Sequence, residues 1–422
     1  MPEISIGPFT LDTASGRMLR DGAEIRLRPQ ALQALEVLLR NTGRPVSYEQ
    51  MIAEAWKGTH VSKHTVDVTV GEVKKTLGEY GRWITHRPKA GYRLEVPTSD
   101  ELVRKGSHFV NRRTREGAEL AIQCFEHAAA ECPGDARAYE GLSTCYLMLA
   151  TFGMRPPGEV YPKFLETHEQ AVAVGGLKAE LRANRGHGLH LFEQQLDAAE
   201  TEFLAALSEK PSLGTGYVRA ALLYVTMDRL DDAATMLERC EAKDPLVPTL
   251  PATVVLLRFW RRDFDAAIAY GKQAIELHPY LQIVRVNYAQ ALEFAGRLPE
   301  ALAQYKLASV MSPDLPWLRA LEATCLAKMG QMTSAQDILE ELEHLRRSEY
   351  VDAFYQCVLR QALGHHAQAM NELERAVDEN SAFLYSMNVD PKMDVFRGDA
   401  RYQRLEAGRS VKSARTESGK PA

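Results

Sequence analysis

The sequence predicts a mixed fold, a small α+β domain over residues 1–97 followed by an all-α superhelical solenoid over residues 104–384. Three observations lead there. Short strand-like runs and amphipathic helical stretches alternate over the first 97 residues, while farther on an alanine returns every 34 residues. Charge also changes sign: residues 1–98 hold 14 Lys and Arg against 11 Asp and Glu, a net of +3, and the remainder holds 37 against 45, a net of −8. A chain of 422 residues has room for two or three domains, because single cores rarely grow that large. Residues 98–103 read as a linker, 385–409 as a C-terminal cap on the solenoid, and 410–422, rich in Lys, Ser, Arg and Gly, as a disordered tail.

In the first domain, Ile4 to Leu11 alternates like one half-buried strand, and Gly22 sits in a turn between Met18-Leu19 and Ile25-Leu27. Pro29 opens a helix with Leu32, Leu35 and Leu39 on one face. Ser47 before Tyr48 to Trp56, with Gln50 at the third position, has the form of a capping box. A third helix carries Val66, Val70, Val73 and Leu77 at core spacing and stops at Gly78. Trp83 to Leu94 reads as two short strands around a basic turn.

The 34-residue register is carried by Ala199, Ala233, Ala267, Ala301, Ala335 and Ala369. Four residues later stand Phe203, Leu237, Tyr305, Leu339 and Leu373, with Gly271 the exception. Small residues follow seven after each alanine at Ala206, Cys240, Ala274, Ala308 and Ala376, where Leu342 departs, and Pro211, Pro245, Pro279 and Pro313 close the units. Small residues let helices cross closely and proline ends the second helix of each pair. This is the tetratricopeptide pattern. An earlier copy, Ala121-Phe125-Ala128-Pro133, lies 78 residues before Ala199, so a degenerate repeat with an insertion near Thr151 to Val160 intervenes and the array has about eight repeats.

Several N-terminal runs together resemble the OmpR/PhoB-type winged-helix domain: Leu27-Arg-Pro-Gln-Ala-Leu, Ser47 to Trp56, Thr65 to Gly78, and Ile84-Thr85 with Gly91-Tyr92-Arg93. The whole arrangement is similar to the subgroup that joins this domain to tetratricopeptide repeats, the invasion-gene-activator-like transcriptional regulators. The resemblance implies that the third helix enters the major groove of double-stranded promoter DNA and that the wing reaches a minor groove. Relatives usually carry a phosphorylated receiver first; here the winged helix opens the sequence, so a different switch is expected. The loop Lys57-Gly-Thr-His60-Val resembles the segment through which relatives touch RNA polymerase.

With Val66, Val70, Val73 and Leu77 inward, helical geometry turns His64, Val68, Gly71, Glu72 and Lys75 outward, flanked by Thr65 and Thr69. Val68 suits a thymine methyl, Glu72 a cytosine amino group, and His64 or Lys75 a guanine or a phosphate; Gly71 lets backbone approach. Lys63 and Lys74 join this face, and Arg87, Lys89 and Tyr92 form the wing's share of it. Relatives commonly have arginine at the place of Glu72, so either Glu72 reads a base or the helix docks in a shifted pose. The competing reading is a protein-interaction scaffold whose winged helix no longer reads DNA specifically.

For the array, first-helix positions predict a concave face of Val218, Leu222, Leu256, Phe259, Val286, Gln290, Trp317 and Phe354. Such a groove suits an amphipathic helix, a hydrophobic small molecule or another part of the same chain. A second copy on an adjacent half-site would make a homo-oligomer. Six scattered cysteines without a C-x-x-C pair read as reduced thiols, and the pairs His187/His190 and His365-His366 lack partners at metal-ligand spacing. No Walker loop, G-x-S-x-G or placed acid pair points to catalysis, and no metal or cofactor is expected. Met1 to Thr10 lacks the features of a signal peptide and no apolar run has membrane length, so a cytoplasmic protein without membrane contact is expected.

Overall fold

Strands β1 (Glu3–Ile6), β2 (Phe9–Asp12), β3 (Arg17–Arg20) and β4 (Ala23–Ile25) form an antiparallel meander in chain order. They belong to a computed structural model that describes residues 3–6, 9–12, 17–20, 23–88, 90–176 and 178–417. The chain divides into two units, Met1–Ser107 with Gln123–Ala138, and His108–Ile122 with Tyr139–Ala422. In the first unit, the single strand expected over Ile4 to Leu11 is two strands, with Ile4 opposite Leu11. Gly7 and Pro8 between them, like Gly22 of the expected turn, lie outside the described residues.

Phe9, Leu11 and Met18 of the meander are buried, in one core with α1 (Pro29–Arg40), α2 (Tyr48–Ala55) and α3 (Lys63–Leu77). Pro29 occupies the first turn of α1, where its missing N–H costs nothing. Ser47 caps α2, its Oγ accepting from the Gln50 amide at 3.1 Å; the Gln50 side chain turns to Glu54 and Asn41, so half of the capping box forms. Ser62 caps α3 the same way through the Thr65 amide, and Gly78 ends it at φ +59°. Val66, Val70, Val73 and Leu77 are all buried. A second sheet, β5 (Pro45–Val46), β6 (Ile84–Arg87) and β7 (Gly91–Leu94) in the order β5-β7-β6, supplies the hairpin read around the basic turn.

The segment read as a linker is mostly helix. Helix α4 (Ser99–Val110) starts there because Thr98 and Glu101 form a reciprocal capping box: the Glu101 amide donates to Thr98 Oγ1 at 3.2 Å and the Thr98 amide to Glu101 Oε2 at 3.1 Å. Leu102 and Val103 are buried.

From α4 onward the helices come in pairs, eight among the described residues: α4 with α5 (Arg115–Glu131), α6 (Ala136–Thr151) with α7 (Pro157–Gly175), α8 (Ala179–Gly188) with α9 (Leu196–Glu209), α10 (Gly214–Thr226) with α11 (Leu230–Lys243), α12 (Leu250–Trp260) with α13 (Phe264–Leu277), α14 (Gln282–Phe294) with α15 (Leu298–Met311), α16 (Pro316–Lys328) with α17 (Met332–Leu345), and α18 (Ala353–Ala362) with α19 (His366–Asp378). Every alanine of the 34-residue column is fully buried. A second column lies in the turns: Gln194, Asp228, Arg262, Gly296, Gly330 and Gly364 all have positive φ at the same spacing. Gly271 breaks the large-residue position because a β-carbon there would stand 2.8 Å from Tyr288 Cδ2. The extra residues before Ala199 are taken up largely by α6 and α7, of 16 and 19 residues, against 13 and 14 in α10 and α11.

The second unit curls back on itself. The Arg115 amide donates to Asp314 Oδ2 at 2.6 Å, its guanidinium pairs with Glu349 at 2.7 Å, and the Trp317 indole donates to the Phe152 carbonyl at 3.1 Å. The residues after α19 do not merely cover the end of the array. Two 3-10 turns, Ala382–Ser386 and Pro391–Phe396, run along the concave face before α20 (Ala400–Glu417). Backbone stays helical through Glu417, where composition reads as a disordered tail; its Ala, Arg, Lys and Glu residues are good helix formers.

Candidate nucleic-acid interface and the filled groove

The hydrogen bonds that sort the surface of α3 come from the rest of its unit. His64, Thr65, Gly71 and Lys75 are exposed, and Val68 is half exposed at 51%, unusual for a valine on a helix whose other valines are buried. A β-carbon on Gly71 would meet nothing within 4 Å. Lys63 and Lys74 flank this face, their ammonium groups 5.3 and 5.9 Å from the ring centres of Tyr48 and Tyr92. Thr69 does not belong to the face. It is buried, and its hydroxyl donates to the Thr65 carbonyl one turn back at 2.8 Å.

Glu72 is not a free carboxylate. The Arg28 guanidinium, at the start of α1, donates to its Oε2 through Nε at 2.6 Å and also through Nη2. That hydrogen bond and the attached charge hold the Glu72 carboxyl below its ordinary range. Arg28 lies 44 residues away in sequence and no local pattern marks it.

Asp67, on the flank of α3, ties the helix to its neighbours. Its Oδ1 accepts from Tyr48 of α2 and Tyr92 of β7, both at 2.7 Å, and these two bonds hold its carboxyl below the ordinary value. Tyr48 also reaches His86 Nε2 at 3.2 Å. Tyr92 is therefore buried and anchors the wing from inside rather than presenting its ring to a ligand, and burial followed by Asp67 raises its phenol above the ordinary range. Gly91 beside it has φ +92°, and a β-carbon there would clash with the Val46 carbonyl at 2.0 Å, so only glycine lets β5 and β7 pair. Arg87 is exposed at the wing and pairs with Glu95 at 3.3 Å; Lys89 lies outside the described residues.

In the second unit, seven of the eight predicted groove residues line one cavity of about 390 Å³: Val218, Leu222, Leu256, Val286, Gln290, Trp317 and Phe354. Phe259 does not. It is fully buried between Phe264 and Phe294, with ring centres 5.8 and 5.2 Å away. The opposite wall comes from the C-terminal segment: Phe383 packs on Trp317 and Tyr355, and Tyr385 lies edge-on to Trp260. Polar contacts fix it there. Thr226 Oγ1 donates to the Tyr385 carbonyl at 2.8 Å, Asn388 donates to the Thr226 carbonyl at 3.2 Å, and Lys392 donates to Gln290 Oε1 at 2.5 Å while pairing with Asp390 at 2.8 Å. Of the three occupants the groove composition allows, another part of the same chain lies along it and walls one side of the cavity. Among the lining residues that went unnoticed in the sequence are Arg113 and Arg219.

A winged helix of OmpR/PhoB type and an array of tetratricopeptide repeats thus share one chain. Residues 22–94 match the family model described as transcriptional regulatory protein, C terminal. The transcriptional regulatory protein CutR of Streptomyces coelicolor is 36% identical over 94 residues, 22% of this chain and 43% of that protein. The transcriptional activator CadC of Escherichia coli K12 is 26% identical over 100 residues, 23% of this chain and 20% of that protein. The chain spans less than half the length of these curated relatives. Among solved structures, a monomeric mutant of IFIT1 with m7Gppp-AAAA gives a TM-score of 0.53 at 13% identity, over 92% of this chain and 90% of that one, a likeness of fold. Among the described residues no helix is long and apolar enough to cross a membrane.

Proposed function

We propose that this protein is a cytoplasmic, non-enzymatic transcription regulator whose winged helix reads promoter DNA and whose repeat array receives the controlling signal. The observation that carries the reading is the exposed side of α3 within the matched region: His64, Thr65, Val68, Gly71 and Lys75 point away from a sealed core. In this reading α3 lies in the major groove, Lys63 and Lys74 approach phosphates at its edges, and Arg87 with Lys89 reaches the minor groove. The loop from Lys57 to Val61 faces RNA polymerase, and two copies sit on adjacent half-sites as a homo-oligomer.

The scaffold reading rests on the modest net charge of +3 over residues 1–98 and on Glu72, whose negative charge would repel DNA. Arg28 neutralises that charge and presents a guanidinium at the same edge, which favours DNA reading. Footprinting of the full chain across a genome is expected to give discrete promoter peaks; uniform, sequence-blind occupancy defeats the reading. On a recovered site, Lys75→Ala is expected to weaken binding about three- to tenfold at all sequences and to reduce the salt slope by about one.

A further inference from the structure

We infer that the cavity of the repeat array is a binding site for a small amphipathic anion, with Arg113 and Arg219 holding its carboxylate or phosphate head and the surrounding aromatic rings holding its apolar body. The proposal deepens the regulator reading by naming the class of signal, but binding itself does not depend on DNA.

The charge pattern points to an anion. Three cations, Arg113, Arg219 and Lys392, line the cavity, with Asp390 as the one carboxylate. That carboxylate is already engaged by Lys392, through its ammonium at 2.8 Å and its amide at 2.9 Å. Arg219 has a neutral partner, Asn184 Oδ1 at 2.6 Å, and Asn184 is itself held by Thr144. Among the described residues neither Arg113 nor Arg219 forms an ion pair, whereas Arg185 has Glu193 and Arg360 has Glu372. Burial, and then the field of Arg113, push Arg219 down from 12.5 to about 10. Two like charges facing one enclosed space destabilise the empty array, and an oxyanion between them removes that cost while matching guanidinium geometry.

The rest of the cavity suits an apolar body. Its walls include Trp260, Trp317, Tyr355, Phe383 and Tyr385 beside Leu222. At about 390 Å³ it falls at the small end of ligand pockets, roughly 300–1,000 Å³. His187, which also lines it, is kept neutral by burial and then by the charge of Arg219, so it adds no cation of its own.

The test uses the full chain and three probes of one shape: 4-phenylbutyrate, 4-phenylbutyl phosphate and 4-phenylbutanol, titrated by calorimetry without DNA. At least one anion is expected to bind about tenfold or more tightly than the alcohol, and the tighter of the two names the head group. Arg219→Gln and Arg113→Gln should each remove that preference and leave alcohol binding unchanged. Arg409→Gln, an enclosed arginine outside this cavity, should keep it. If Arg219→Gln fails to fold, Arg113→Gln and the charge-preserving Arg219→Lys decide. Equal binding of alcohol and anions, no anion binding at millimolar concentration, or an unchanged preference in folded arginine variants overturns the proposal. Lys75→Ala, which should weaken DNA binding, is expected to bind the anion like the native chain, so loss of one function is not mistaken for loss of the other.

Discussion

Single residues decide how α3 is presented. Gly71 sits in the middle of that helix, where alanine is favoured by about 1 kcal/mol, and its surroundings leave room for a methyl group. Gly71→Ala is therefore expected to raise thermal stability while weakening binding to the recovered promoter site, and stability and affinity moving together would show that this backbone does not approach DNA. Asp67 gives the opposite case. Removing its charge in Asp67→Asn weakens two phenol hydrogen bonds, with an expected loss of about 1–2 kcal/mol in chemical denaturation and a further loss of affinity as α3 and the wing separate. The exposed face was readable because helical periodicity assigns it from the buried valines alone. Arg28 beside Glu72 and Tyr92 on Asp67 were not readable, since each depends on a contact 25 or more residues away.

At the scale of elements, the two 34-residue columns do different work. Buried alanines let paired helices approach, while the left-handed turn residues reverse the chain between them. Glycine fills half of the turn column and side-chain-bearing residues fill the rest at some cost. Asp228 is exposed at φ +58°, so Asp228→Gly is expected to stabilise the array by about 0.5–1 kcal/mol in thermal denaturation. An unchanged or lower midpoint would show that the turn is not strained. The alanine column was legible from spacing alone. The start of α4 was legible too, in Thr98-Ser-Asp-Glu101, but its Pro97-Thr98-Ser99 surroundings looked like a linker.

Across the second unit, buried histidines set a pH limit. Burial, and then Arg185, push His168 down to about 4; burial and Arg409 push His190 down to about 3; burial also lowers His187. Each is neutral when folded but takes a proton near pH 6.5 when unfolded. Stability is thus fully present above about pH 6.5 and declines as pH falls toward 4, by about 1.4 kcal/mol per pH unit for each histidine. Scanning calorimetry between pH 8 and 4 is expected to show a flat midpoint that drops below 6.5, and His168→Gln should lessen the slope. Carboxylates whose values are lowered, such as Asp135 at about 2 in the first unit, keep their stabilising contribution until the pH falls below the usual carboxylate range. The seven groove residues were found from repeat positions, but what fills the groove was not, because no periodicity links residues 382–396 to α10 or α14.

Repeat arrays ordinarily assemble from neighbour to neighbour, so that the first units can fold while the last are still being made. Here the residues that brace Thr226, Trp260 and Gln290 are made only after every repeat they touch. Those repeats must leave the ribosome with their interior unsupported, and residues 382–396 then set like a keystone. A message truncated before Ser381 would yield an arch without one, a product more exposed to proteases and chaperones than the intact array.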